Sequence, residues 1–226
     1  YFRQRFHAYR KLRDTKTEFM HVVFGRMDFK DGSMSTRKGN IIRLSELLDE
    51  AEERALKLAQ EKTEGLKDAE VKELARIMGL GAVKYNILSQ NRLQNITFDW
   101  DRMLSFEGNS APYLMYTAAR ANSILRKGDC SKKDTAKFEL ELKHPLETQV
   151  AIDLMLYPDA LARAAKEYKP NHIANYLYPL AQHFNALYNE LPVLQAERDS
   201  EKKSRLLLTA AVATILEHGL GLLGIE

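Results

Sequence analysis

Between residues 173 and 188, Ile173, Tyr176, Leu177, Leu180, Ala181, Phe184, Leu187 and Tyr188 recur at i, i+3, i+4, i+7, i+8, i+11, i+14 and i+15. That spacing draws one apolar stripe along a helix and does not fit the two-residue period of a strand. Pro170 and Asn171 mark its start, and Pro179 predicts a kink. Asn175, Tyr178, Gln182, Asn185 and Asn189 fall on the opposite side. Such an amide-rich stripe can read base edges or can simply be a solvated face.

The same period returns along most of the chain. Leu44, Leu47, Leu48, Ala51, Ala55, Leu58 and Ala59 predict a long helix, and Lys62 to Lys67 read as a linker. Asp68 is a candidate cap for a helix whose buried stripe is Val71, Leu74, Ala75, Met78 and Ala82. Gly79 and Gly81 inside it point to a close neighbour or a kink, since each costs about 1 kcal/mol relative to Ala. Ser110 and Pro112 open another helix with Leu114, Ala118, Ala121 and Leu125 on its core face. Gly128 to Lys143 is a charged connector, and Pro145 to about Tyr157 a helix broken by Pro158. Asp159 then caps a helix with Leu161, Ala164, Ala165 and Tyr168 inward. The last helix runs from Ser200 to about His218, with Gly219 as its stop. The second half offers no strand pairs, which leaves a helical bundle.

The first 40 residues differ. Phe2, Phe6, Tyr9 and Leu12 space as a short helix, and the β-branched and aromatic run from Phe19 to Met27 reads as a buried strand. Beyond it lies Gly32-Ser33-Met34-Ser35-Thr36-Arg37-Lys38-Gly39-Asn40, a polar, cationic loop bounded by glycines. Hydroxyls beside adjacent cations suit a phosphate, because charge-assisted hydrogen bonds are about twice as strong as neutral ones. By composition alone the loop is better read as an ordinary basic surface loop.

A second constellation shares one side of the helix after Ser110. Tyr113, Tyr116, Arg120, Ser123 and Lys127 sit at i, i+3, i+7, i+10 and i+14. Aromatic rings stack on unpaired bases and cations meet phosphates. The same residues would also serve as tyrosines packed on a neighbour with solvated cations. Phe98-Asp99-Trp100-Asp101 is better read as a capped turn with buried aromatics than as a metal site, and the six scattered histidines predict no zinc.

Charge narrows the classes. A net charge of +3 permits a nucleic-acid partner without requiring one. Cations concentrate between Arg3 and Lys16, acids between Glu46 and Glu53. No apolar run approaches the ~18 residues of a membrane span. No signal peptide is visible, and the lone Cys130 fits a reducing, cytoplasmic setting. The abrupt start at Tyr1 reads as a cut within a longer protein.

The order Met34-Ser35-Thr36-Arg37-Lys38-Gly39-Asn40 resembles the KMSKS loop of class I aminoacyl-tRNA synthetases, in the form found in arginyl-tRNA synthetases. Ser33 and Thr36 stand where that pattern has lysines, so the cation facing the leaving group is Arg37, Lys38 or a lysine elsewhere. The resemblance extends through Gly81–Tyr85, Phe98–Asp101, Phe106–Tyr116, Phe184–Leu194 and Leu222–Ile225. It implies a mainly α chain: the remnant of an α/β nucleotide-binding domain over residues 1–62, then a helical DALR-like anticodon-binding domain over 66–226 with its core at about 110–226. It implies arginine, ATP with magnesium and tRNA-Arg as substrates, and a soluble monomer.

On this resemblance Met34, Ser35, Thr36, Arg37 and Lys38 are the catalytic candidates. Phe24, Gly25, Met34, Gly39 and Asn40 would contact ATP, and Tyr113, Tyr116, Arg120, Lys127 and Asn185 the anticodon arm. The chain has no His-Ile-Gly-His-type motif, the other half of such a site. Holding both reactants together is worth ~7–11 kcal/mol in favourable cases, so this stretch alone is expected to form no arginyl-adenylate and to bind no ATP tightly. The competing class is a helical protein-interaction module with no nucleic-acid role.

Overall fold

Small side chains decide how the first long helices meet. α2 (Leu44–Lys62) and α3 (Asp68–Leu88) pack as a hairpin over Ala51, Ala55, Ala75 and Ala82, all nearly or fully buried. At their crossing, a Cβ on Gly79 would lie 2.8 Å from the Ala51 carbonyl oxygen, so only glycine lets the two backbones approach this closely. The computed structural model describes residues 1–13, 16–29, 43–62 and 66–225 of the chain. The 32–40 loop therefore lies outside the described residues.

Around this hairpin the described chain is almost entirely helical. α1 (Phe2–Arg13) precedes the short strand β1 (Met27–Phe29). β2 (Ile96–Phe98) and the single turn α4 (Trp100–Met103) follow α3. Then come α5 (Ala111–Lys127), α6 (Lys132–Thr135), α7 (Pro145–Met155), α8 (Tyr157–Glu167), α9 (Asn171–Glu190) and α10 (Asp199–Leu222). One apolar cluster joins α2, α3 and β2. The other fills the bundle of α5, α7, α9 and α10, with Leu114, Val150, Leu177, Phe184 and Leu216 fully buried. Tyr85, near the end of α3, enters the second cluster, and its hydroxyl donates to Asn109 Oδ1 at 2.6 Å.

The predicted helices are present, as are the Ser110 cap, which accepts from the Tyr113 amide, and the Asp99 cap, which accepts from the Asp101 and Arg102 amides. Several expectations need correction. The run 19–27 is not a buried strand: only Met27–Phe29 is laddered, in parallel with Ile96–Phe98, and Phe24 is 80% exposed. A strand needs a neighbour for its amides and carbonyls. Within the described chain that neighbour, residues 92–98, meets the segment only from Val23 onward. Upstream, Phe19 stacks on Phe6 of α1 instead. β2 pairs only with β1, so among the described residues the second half contains no strand pair of its own.

Asp68 and Asp159 lie within first helical turns rather than at caps. Tyr168 does not turn inward. It ends α8 in the left-handed conformation at φ 53° and is half exposed. α10 does not stop at Gly219, because the buried Leu177 side chain sits where a Cβ would be, 2.6 Å from it. That packing outweighs the ~1 kcal/mol helix cost of glycine. The helix stops at Gly224 (φ +71°), where the Ile225 amide reaches the Leu220 carbonyl and the Gly224 amide that of Gly221, a Schellman closure. By length and composition α10 could cross a membrane, but more than half of its most apolar stretch is buried in this bundle, as a core helix would be.

Candidate nucleic-acid interface

One buried ion pair shapes the wall of a groove beside α5. Arg205 of α10 donates from Nε to Glu147 Oε1 at 2.7 Å and from Nη1 to the Pro192 carbonyl at 3.0 Å. The backbone amides of Lys143 and His144 donate to the other oxygen of Glu147. Burial pushes this carboxyl up, but the guanidinium and the two amides outweigh it and hold Glu147 below the usual carboxylate range. The loop after α9 is thereby tied to the bundle core.

Opposite that loop stands one face of α5. Together they enclose a groove of about 670 Å³ lined by Tyr116, Arg120, Ser123, Lys127, Tyr188 and residues 192–195. Arg120 is its centre. Its guanidinium lies 4.8 Å from the Tyr116 ring centroid and 5.1 Å from that of Tyr188, within cation–π range of both. Below, Arg120 Nη1 donates to Asn185 Oδ1 at 2.6 Å. The Asn185 amide nitrogen donates to the Tyr113 hydroxyl at 3.0 Å and to Thr117 Oγ1 at 2.9 Å. Tyr116 is 51% and Tyr188 40% exposed, so both offer ring surface to a ligand while the cation between them is already oriented.

Of the residues expected to meet RNA, Tyr116, Arg120 and Lys127 line the groove together. Tyr113 and Asn185 lie beneath them. The amide of Asn185 is engaged by protein partners and orients Arg120 rather than facing the groove. By period Tyr188 belongs to the apolar stripe of its helix, but it stands in the groove wall. Its spacing of three from Asn185 is the signal that could have placed it there.

On the nucleotide side, Phe24 is exposed, whereas the Gly25 amide is occupied, donating to the Arg92 carbonyl at 2.7 Å. A Cβ on Gly25 would fall 2.0 Å from the Gln94 carbonyl oxygen, so glycine is required by this close approach. Met34, Ser35, Thr36, Arg37, Lys38, Gly39 and Asn40 lie outside the described residues. Among the described residues no three His, Cys, Asp or Glu side chains converge as metal ligands.

Two family models cover nearly the whole chain. The DALR anticodon binding domain matches residues 114–226, and the catalytic domain of class I tRNA synthetases (R) matches residues 1–100. The chain belongs to the class I arginyl-tRNA synthetase family. The arginine–tRNA ligase of Fusobacterium nucleatum is 44% identical over 209 residues, 92% of this chain and 37% of that protein. The enzyme of Proteus mirabilis is 44% identical over 207 residues, 91% of this chain and 36% of its own length. Among solved structures, Thermus thermophilus arginyl-tRNA synthetase superposes with a TM-score of 0.78 at 32% identity, over 91% of this chain and 34% of that one. The Plasmodium falciparum synthetase gives 0.83 at 28% identity, over all of this chain and 38% of its own. The chain thus spans little more than a third of the length of these synthetases.

Proposed function

We propose that this chain serves an arginine–tRNA ligase, which joins arginine to tRNA-Arg at the expense of ATP, and that its bundle holds the anticodon arm in the groove between α5 and residues 188–195. The observation that carries the reading is the cation of Arg120 held between the rings of Tyr116 and Tyr188 in an open groove. An unpaired base can stack on either ring, and its phosphate can meet Lys127. The DALR match over the same residues favours this ligand over a protein partner.

In this reading the 32–40 loop closes over the phosphates of ATP, whose magnesium travels with the nucleotide. Glycines admit the backbone, and Ser35, Thr36, Arg37 and Lys38 supply donors and positive charge. The chain does this as part of a monomeric, cytoplasmic enzyme, with the rest of the adenylate site contributed by the portion that its longer relatives carry.

The test is a fluorescence titration of the chain with a tRNA-Arg anticodon stem-loop, against a non-cognate stem-loop at moderate salt. Tyr116→Ala should weaken binding roughly tenfold, since stacking is worth ~1–3 kcal/mol per base. Arg120→Ala should weaken it similarly and flatten the salt dependence if its partner is phosphate. Equal binding of both RNAs, or unchanged affinity in both variants, refutes the reading and favours a protein-interaction module.

A further inference from the structure

The segment that leads into the 32–40 loop and the bundle that carries the groove are joined through one side chain. Arg92 lies between α3 and β2. Its Nη1 donates to the Val23 carbonyl, Nε donates to the Tyr168 carbonyl at 2.9 Å, and Nη2 reaches the Glu167 carbonyl at 3.5 Å. The last two oxygens close the C-terminus of α8, where unpaired carbonyls concentrate negative charge and a cation is favoured. The backbone of Arg92 belongs to the same junction, because its carbonyl accepts from Gly25.

Two further observations mark this as a built contact. Tyr168 holds a left-handed conformation that non-glycine residues rarely adopt, and such conformations persist only where the surroundings fix them. Here the Schellman-type closure by the Lys169 amide on Ala164 and the guanidinium on the Tyr168 carbonyl do so. On the other side, residues 23–29 are zipped to 92–98 by Gly25 to Arg92, Arg26 to the Asn95 side chain, Ile96 to Arg26, and the β1–β2 ladder. Displacing Arg92 therefore displaces the whole approach to the loop.

We propose that Arg92 is a positioning residue: it fixes residues 23–29, which precede the 32–40 loop in the chain, against α8 of the bundle, and adenylate formation depends on that placement. One donor from each of its three nitrogens goes to a backbone carbonyl, in two separate parts of the chain, a task that a planar, forked guanidinium performs and a lysine ammonium performs only in part. This inference rests on the proposed role of the 32–40 loop.

The experiment compares Arg92→Gln and Arg92→Lys with the unaltered protein in two settings. In the 226-residue chain, hydrogen exchange should show faster exchange of the amides between Val23 and Phe29 in Arg92→Gln, with the amides of α9 and α10 unchanged. In the full-length synthetase, kcat for arginine-dependent ATP–pyrophosphate exchange should fall about 10–100-fold in Arg92→Gln, because small misplacements of reacting groups cost that much. The affinity for tRNA-Arg should stay within twofold, and Arg92→Lys should recover part of the rate. Unchanged exchange protection at 23–29, or an unchanged kcat in an active enzyme, overturns the proposal. So does a loss confined to tRNA affinity. If the unaltered full-length protein shows no pyrophosphate exchange at all, the proposed function falls, and the protection pattern still decides whether Arg92 holds the strand.

Discussion

Arg205→Met removes the cation that both neutralises a buried acid and anchors the groove wall. Glu147 is 1% and Arg205 8% exposed, so neither charge has water to fall back on. The substitution deletes one charge-assisted bond to Glu147 and one to the Pro192 carbonyl. Breaking one side of a buried ion pair costs ~3–5 kcal/mol. The lower end applies here, because Glu147 keeps the amides of Lys143 and His144 as donors. We expect about 3 kcal/mol, a large fraction of the ~5–15 kcal/mol that stabilises a typical domain. Urea unfolding followed by circular dichroism measures it, since urea leaves ionic strength unchanged.

Two features separate this mechanism from a plain packing defect. The double variant Glu147→Leu with Arg205→Met should be more stable than Arg205→Met alone, because it leaves no unpaired charge behind. The deficit of Arg205→Met should also shrink as the pH falls below about 4.5. In the unaltered protein the Glu147 carboxyl sits below its ordinary value. Its contribution is thus present above about pH 4.5 and lost as the pH falls through the lowered value. Arg205→Met has lost most of that contribution already, so it has less to lose. A variant within 1 kcal/mol of the unaltered protein at pH 7, or a double variant no better than the single, would refute the reasoning.

Further outcomes follow from the same packing and charges. Gly79→Ala should destabilise the α2–α3 hairpin by ~1–3 kcal/mol despite the gain in helix propensity, because the obstacle is the Ala51 backbone. Gly221→Ala, which meets nothing within 4 Å, should instead stabilise by up to about 1 kcal/mol; thermal melts of the two variants give the contrast. Acid unfolding should begin near pH 4.5 and extend towards pH 2. Burial pushes Glu217 up, yet Lys132 and Asn122 hold it below its ordinary range, and His172 and Lys169 bring Glu167 down to about 2. Both carboxylates contribute above their ordinary value and are lost as the pH falls through the lowered one. A circular dichroism titration showing most of the transition above pH 5 would contradict this.

Much of this architecture was legible along the chain. The stripe from Ile173 to Leu187 is buried as its period requires, apart from the half-buried Tyr176, and so is Leu114–Ala118–Ala121–Leu125. Ser110 caps as its chemistry predicts. The grouping of Tyr116, Arg120 and Lys127 on one side of α5 also follows from helical spacing, which a sequence displays directly.

What the spacing could not state is which partner each face meets. Tyr188 belongs to an apolar stripe by period, yet it stands beside Arg120 because α9 packs on α5 there and leaves this last ring half exposed. Asn185 has the chemistry of a base reader, but the crossing puts three protein groups within its reach. Residues 19–22 have strand composition without a paired edge, because the pairing segment, some 70 residues along the chain, meets it only from Val23 onward. Local propensity and periodicity fix the elements, since they act over a few residues of chain. The contacts of Arg92, Arg205 and Gly219 were decided only when distant helices packed, since a long-range contact depends on the whole arrangement of backbones and leaves no periodic mark at either end.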